Sequence, residues 1–270
     1  TKDNKMKIAT LNINSINARL PNLCGWLAKN QPDIMLLQEI KTEFNNFPFF
    51  DLQVLGYDAK ILGQKSYNGV AVLGKPKMTV TTENLPDFPD DNSRYLEVEF
   101  IKNGEQYVAA SLYLPNGNPP ANNLADTSRF EYKLKWMDAF LKHAEKLLLQ
   151  HKNVVLAGDF NVILSKDDVF NPEMFAGNAL YRPEVWQRLR KLYFMGYGDA
   201  YRLLYPEQAG YTFWDYTGAS FANDLGMRID YAFCSPAMAD RLTACRIDKA
   251  FRAEDKASDH TILTAEFEEI

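Results

Sequence analysis

Cysteine is scarce in this chain of 270 residues: there are three, at positions 24, 234 and 245. Their odd number and wide separation argue against a disulfide framework, and no pair has metal-ligand spacing. Cys24, Cys234 and Cys245 therefore read as buried free thiols of a reducing cytoplasm. Long apolar runs are missing too. None approaches the ~20 residues of a membrane helix, so no membrane partner is expected. The amino terminus lacks the shape of a signal peptide, since Thr1 to Lys5 is polar and charged, a frayed tail. With no long linker, low-complexity block or short repeat, the expectation is a tail over 1–5 and a single domain over 6–270. Basic charge is not in surplus: 30 Lys and Arg face 35 Asp and Glu, a net charge of −5. That argues only mildly against a nucleic-acid partner, because an enzyme can gather acids into a metal site and bases around its rim.

What is present is ample core material, with 46% of residues hydrophobic and 24% charged. The stretch Asn153 to Asn161 organises the rest. Its apolar, β-branched run Val154 to Ala157 enters a glycine and ends on Asp159 and Asn161. Such a run predicts a buried strand, and residues two apart on it point to one side. Met6 to Asn12 alternates and stops on Asn12; Ile34 to Leu37 stops on Gln38-Glu39. Between them Leu20, Leu23, Cys24 and Leu27 mark an amphipathic helix from Arg19 to Asn30, with Pro21 tolerated in its first turn. Strand, helix, strand implies two parallel strands, and ligands collect at the carboxyl ends of such strands.

Further strands are expected at Tyr57–Ile61 and Gly69–Leu73, with a hairpin of Arg94–Phe100 and Gln106–Leu114. A long helix should run from Thr127 to His151, capped by Asp126 or Thr127, and a shorter one from Pro183 to Met195. Between Asp159-Phe160-Asn161 and that shorter helix, Val162 to Arg182 is a long irregular loop, and such loops are often functional. Tyr211 to Tyr216 is aromatic and strand-like, Gly226 to Ser235 is a strand with Asp230 inside it, and Ile262 to Phe267 is the last strand. The fold class is α/β: two mixed sheets packed face to face with helices outside.

The polar groups at these strand ends are Asn12, Glu39, Tyr113, Asn116, Asp159, Asn161, Asp230, Asp259 and His260. Acids and amides are hard oxygen ligands, and no Cys or His pair suggests zinc. The set suits magnesium or manganese. Magnesium beside a single histidine points to phosphate-ester hydrolysis. A buried Asp230 against His260 would orient the imidazole and favour its charged form. Taken singly, each of these residues has an ordinary structural reading.

Taken together they resemble the exonuclease III group of AP endonucleases, within the DNase I-like (endonuclease/exonuclease/phosphatase) superfamily. The resemblance runs in order from Lys7-Ile8-Ala9-Thr10-Leu11-Asn12 through Leu37-Gln38-Glu39, Tyr67-Asn68-Gly69 and Tyr113-Leu114-Pro115-Asn116-Gly117. It continues through Gly158-Asp159-Phe160-Asn161, Thr212-Phe213-Trp214 and Arg228-Ile229-Asp230 to Ser258-Asp259-His260. The resemblance implies a four-layered α/β sandwich. It also implies that Glu39 and Asp259, with Asn12 nearby, hold Mg2+ (or Mn2+), and that Asp159, oriented by Asn161, activates water. The Asp230–His260 pair would polarise the scissile phosphate, unless the histidine is the base. Tyr113 and Asn116 would bind the phosphate, and Asn178, Phe213, Trp214, Met227 and Arg228 would contact the substrate.

Two departures stand out. The first motif continues Asn14-Ser15-Ile16-Asn17 where the group usually has Asn-Gly-Leu-Arg, so a DNA-backbone arginine is missing unless Arg19 substitutes. Met227 takes a position often held by Trp or Leu beside the abasic sugar. The resulting expectation is a monomeric Mg2+-dependent DNA-repair nuclease acting on double-stranded DNA at abasic sites or 3′ ends. It would work in the cytoplasm, on the nucleoid if bacterial. The alternative is an enzyme that is predominantly a 3′→5′ exonuclease. A basic rim is expected from Lys65, Lys75, Lys77, Arg129, Lys133, Arg182 and Arg228.

Overall fold

Two six-stranded sheets lie face to face in the computed structural model, which describes residues 5–269. The first part of the chain forms β1 (Lys5–Asn12), α1 (Ile16–Asn30), β2 (Ile34–Gln38), α2 (Phe49–Val54) and β3 (Asp58–Leu62). β4 (Val70–Gly74), β5 (Met78–Glu83), β6 (Tyr95–Lys102) and β7 (Glu105–Tyr113) follow, then the long helix α3 (Ser128–Gln150). Next come β8 (Val154–Asp159), α4 (Pro183–Met195), β9 (Gly198–Asp199), α5 (Ala200–Leu204) and β10 (Asp230–Cys234). The chain closes with α6 (Pro236–Ala239), β11 (Leu242–Ile247), α7 (Lys249–Arg252) and β12 (Leu263–Glu268). Sheet order is β11-β12-β1-β2-β4-β3 in one sheet and β5-β6-β7-β8-β10-β9 in the other.

Alternation explains the layering. Ile8, Leu36 and Val72 of the first sheet pack against Val98, Val155 and Ala157 of the second, forming the inter-sheet core. The opposite pleat of the first sheet buries Leu11, Leu37 and Leu73 under Leu23 and Leu27 of α1. That of the second buries Leu112 and Leu156 under Trp136, Met137 and Phe140 of α3. The result is the expected four-layered α/β sandwich.

The α1 helix breaks at Arg19, whose φ is −118°, so Pro21 lies in the first turn after the break, where its missing N–H costs least. At the start of α3 the Asp126 carboxylate accepts from Ser128 N at 2.8 Å and supplies the cap. Two expectations are corrected. Tyr211–Tyr216 forms no strand; its aromatic content serves packing, and only Phe213 makes isolated bridges, to Met227 and His260. Asp230 is the first residue of β10 rather than an interior one, because the chain before it makes only isolated bridges at Met227, to Val169 and Phe213. Of the expected tail, Thr1 to Asn4 lie outside the described residues and Lys5 already belongs to β1. Among the described residues no helix is long and apolar enough to cross a membrane.

Candidate active site

Four strands end at one edge of the sandwich and two begin there. β1 and β2 are parallel, as are β7 and β8, while β12 runs antiparallel to β1 and β10 to β8. Asp159 is paired with Tyr113 on one side and with Asp230 on the other. The first sheet brings Asn12, Glu39, Asp259 and His260 to the same edge. Hydrogen bonds then join the sheets: Asn12 Nδ2 donates to Asp159 Oδ2 at 2.9 Å, and His260 Nδ1 meets Asp230 Oδ2 at 2.8 Å.

The backbone turns sharply where these strands stop. Asn14, Glu39, Lys41 and Asn161 all have φ between 46° and 53°. Left-handed backbone at non-glycine residues costs energy, and it clusters here at the strand ends. Asn12 Nδ2 also donates to Glu39 Oε1 at 2.8 Å. The other Glu39 oxygen lies 3.0 Å from the Lys41 ammonium, which donates to Asn14 Oδ1 at 2.7 Å. Asn14 Nδ2 reaches Asp259 Oδ1 at 3.3 Å. Asn161 N donates back to Asp159 Oδ1 at 3.0 Å, and the Asn161 amide donates to Leu114 O at 2.9 Å.

Electrostatics separates the roles. Burial works against a charged His260, but Asp230, then Asp159 and Asp259, overcome it and push the imidazole up to about 10. His260 Nε2 lies 3.6 Å from Asp159 Oδ2. Asp159 is pushed up to about 7 by burial, with Asp230 adding to the effect and His260 and Asn12 opposing it. Glu39 remains below the usual carboxylate range: burial raises it, but Asn12 and Lys41 more than compensate. The Tyr113 hydroxyl is driven well above its ordinary value by burial and by the negative Glu39 and Asp159.

Glu39, Tyr113, Asp159, Asn161, Asp259 and His260 line a cleft of about 320 Å³ together with the apolar Phe175, Leu180, Phe213, Met227 and Ile229, while Asn12 and Asp230 are hydrogen-bonded to lining residues. The Phe213 and His260 rings are 5.0 Å apart. Asn116 and Asn178 lie on the rim, linked through Asn118. Thus Asn12, Glu39, Tyr113, Asn116, Asp159, Asn161, Asn178, Phe213, Met227, Asp230, Asp259 and His260 all converge. Trp214 and Arg228 do not. Trp214 is buried with Nε1 on Asp224, and it faces a separate cavity of about 470 Å³. Arg228 is 1% exposed and held by Asp168 and Asp199, both at 2.7 Å, because a guanidinium buried between apolar residues needs both carboxylates.

The expected rim also shrinks. Lys133 is fully buried, and Lys75 sits at the opposite end of the sheet on Gln31. Arg19 donates to Asn14 O and Tyr216 Oη and so buttresses the Asn14 turn. Sequence reasoning missed Lys41 and Asn118, and it passed over Asn14 as a site residue. The available signal was a base two residues after Glu39 and an amide two after Asn12 and Asn116.

Asp159, Asp230 and His260 place ligand atoms within 4.8 Å of one another. Nδ1 of the imidazole, however, is taken by Asp230, and the two carboxylates favour its charged form, so this trio reads as an ion network rather than a metal cage. The donors that could hold a hard cation are Glu39, Asp259 and Asn12, next to Asp159. Oxygen donors without thiolate or free imidazole fit magnesium.

The same residues fall inside a family match. The chain matches the Endonuclease/Exonuclease/phosphatase family over residues 9–260. It is 29% identical to exodeoxyribonuclease III of Haemophilus influenzae, over 97% of this chain and 100% of that one. Among solved structures, it is similar to the 3′ phosphatase NExo from Neisseria bound to product DNA hairpin. That likeness has 36% identity and a TM-score of 0.90, covering 97% of this chain and 99% of that one. An AP endonuclease from Archaeoglobus fulgidus is 30% identical with a TM-score of 0.89, over 98% of this chain and 100% of that one. With a match from Ala9 to His260 that spans every group converging on the cleft, this chain belongs to the endonuclease/exonuclease/phosphatase family.

Proposed function

We propose that the protein is a Mg2+-dependent DNA-repair nuclease that hydrolyses phosphodiesters 5′ to abasic sites and processes 3′ ends of double-stranded DNA. The observation that carries this reading is His260 held between Asp230 and Asp159, which favour its charged form, beside the Asn12–Glu39 pair. A fixed positive donor, a carboxylate titrating near neutrality and a hard-oxygen donor set are what phosphate-ester hydrolysis needs. Relatives named as an exodeoxyribonuclease, a 3′ phosphatase solved with DNA and an AP endonuclease support the substrate class.

In this mechanism Glu39, Asp259 and Asn12 hold magnesium, which supplies charge neutralisation at the phosphate and the leaving oxygen. His260 and Asn116 donate to non-bridging phosphate oxygens, joined by the Tyr113 hydroxyl, which keeps its proton. Asp159, tuned near 7, accepts the proton of the attacking water. His260, tuned near 10, stays an imidazolium donor and does not act as the base. The apolar wall of Phe213, Met227 and Ile229 excludes water and receives the sugar. We place the enzyme with DNA in the cytoplasm, as a single-domain monomer.

A second reading, a predominantly 3′→5′ exonuclease, is favoured by Phe175, which lines the cleft together with Leu180 where a flipped abasic sugar would have to fit. Two 5′-labelled duplexes decide between them, one with a central abasic site and one with a recessed 3′ end, each run with Mg2+ or EDTA. A single sharp product at the lesion establishes the endonuclease. A ladder from the 3′ end with the lesion uncut establishes the second reading, and Mg2+-dependent cleavage of neither duplex overturns both.

A further inference from the structure

Lys133 belongs to α3, in the helical layer outside the second sheet, yet its side chain ends behind the candidate active site. It is 0% exposed. Its Nζ donates to three backbone carbonyls: Asn116 O at 2.9 Å, Asn161 O at 2.6 Å and Ala179 O at 3.0 Å. These carbonyls come from three separate segments. One follows β7, one follows β8, and one lies in the Val162–Arg182 loop next to Asn178. Each segment carries an amide side chain on the cleft: Asn116, Asn161 or Asn178.

Three acceptors require three N–H groups, which an ammonium has and a neutral amine lacks. Burial pulls the Lys133 pKa well below the usual lysine value, with Asp159 opposing. The three carbonyls supply the solvation that burial removes. The neighbourhood is built around the side chain: a Cβ on Gly117 would come within 2.6 Å of Lys133 Cδ, at a backbone φ of +84°. Arginine is too broad for a point where three carbonyls converge, and methionine would leave all three unsatisfied.

We propose that Lys133 is a positioning residue for the phosphodiester hydrolysis described above, its ammonium fixing the Asn116, Asn161 and Ala179 backbones so that three amide side chains converge on the substrate. The assignment rests on the nuclease reading. It extends that reading by giving one buried cation control over the rim on which the phosphate is bound.

The test compares wild type, Lys133→Met and Lys133→Ala on the duplexes above. A loss of alignment on the order of 1 Å costs about 100-fold in rate. Lys133→Met is therefore expected to lose about that much kcat with KM within about threefold of wild type, since the substitution changes no exposed group. Lys133→Ala leaves a slot the size of propylammonium, and added propylammonium is expected to restore activity where 1-propanol does not. In the wild type, NMR of 15N-labelled lysine should show an NH3+ group with couplings across hydrogen bonds to the carbonyl carbons of Asn116, Asn161 and Ala179.

Lys133→Met cleaving within about threefold of wild-type kcat overturns the proposal. So does rescue by 1-propanol equal to that by propylammonium, which would show cavity filling alone. If Lys133→Met does not fold, the wild-type NMR decides: couplings support the clamp and a neutral or uncoupled amine overturns it. Wild type that cleaves neither duplex removes the nuclease reading instead.

Discussion

His260 Nδ1 and Asp230 Oδ2 are 2.8 Å apart, and the bond between them runs from one sheet to the other. Asp230 is the leading charge that keeps the imidazole protonated, up to about 10. Asp230→Asn removes that charge, so His260 loses its proton at lower pH. We expect kcat/KM at pH 8 to fall by about 100-fold or more, as for loss of a positioned proton donor. The basic limb of the pH profile should move down from near 10. A pH–rate series on a labelled duplex checks both.

Burial and the neighbouring Asp230 push the Asp159 carboxyl up to about 7, so near neutral pH it holds part of a proton that an ordinary carboxylate would have released. A cation beside it favours the ionised form, and Mg2+ binding at about pH 6.5 should expel part of that proton. Calorimetry in two buffers of different ionisation enthalpy measures the release. Asp159→Asn should abolish it, together with DNA cleavage, while duplex binding persists.

Arg228 is expected to matter for stability. Arg228→Met leaves Asp168 and Asp199 buried without their cation, and breaking a buried pair in this way costs about 3–5 kcal/mol. Denaturant unfolding should show it, and proteolysis of the Ser165–Val169 turn that Asp168 anchors should accelerate.

Glu97 gives the fold its own acid dependence. Burial raises its pKa, but His143, Tyr95 and Thr81 lower it further, to a net value below the usual range. A lowered carboxylate contributes stability that is present above its unfolded value and is lost as pH falls through the folded one. Glu97→Gln should cost about 1–3 kcal/mol near neutrality. The gap in melting temperature should close as the pH falls through and below the usual carboxylate range.

Phe175 tests how cleft width sets substrate choice. Phe175→Ala enlarges the apolar wall, and the ratio of lesion cleavage to 3′-end degradation should rise about tenfold, the scale of one altered pocket contact. An unchanged ratio removes Phe175 as the determinant.

How much of this was legible beforehand depends on which signal each residue carried. β1, β2 and β8 were readable because a short apolar run stops abruptly on Asn12, Glu39 or Asp159. That break is both the strand end and the site. Tyr211–Tyr216 misled because aromatics that pack on both sides of a strap resemble strand content. β5 and β11 escaped because these edge strands are mostly half-buried or exposed and carry too few large apolar side chains to mark a strand in the sequence. Lys133 and Arg228 were read as rim charges, since charge in a sequence says nothing about which carbonyls or carboxylates fold around it. The inward turn of Lys133 depends on segments 17, 28 and 46 residues distant.

The Asn12–Asp159 and His260–Asp230 bonds have a mechanical consequence. Under the proposed mechanism neither sheet holds a working set of groups by itself, so the distance between the sheets becomes a catalytic coordinate. Trimming a core side chain such as Val155 or Leu36 would let the layers slip by fractions of an ångström. Such trimming would lower the melting temperature, since truncating a buried leucine costs about 2–5 kcal/mol, and would carry the imidazole off its carboxylate at temperatures where the chain is still folded. Turnover would then act as a strain gauge for the interior, registering loosened packing well before the chain unfolds.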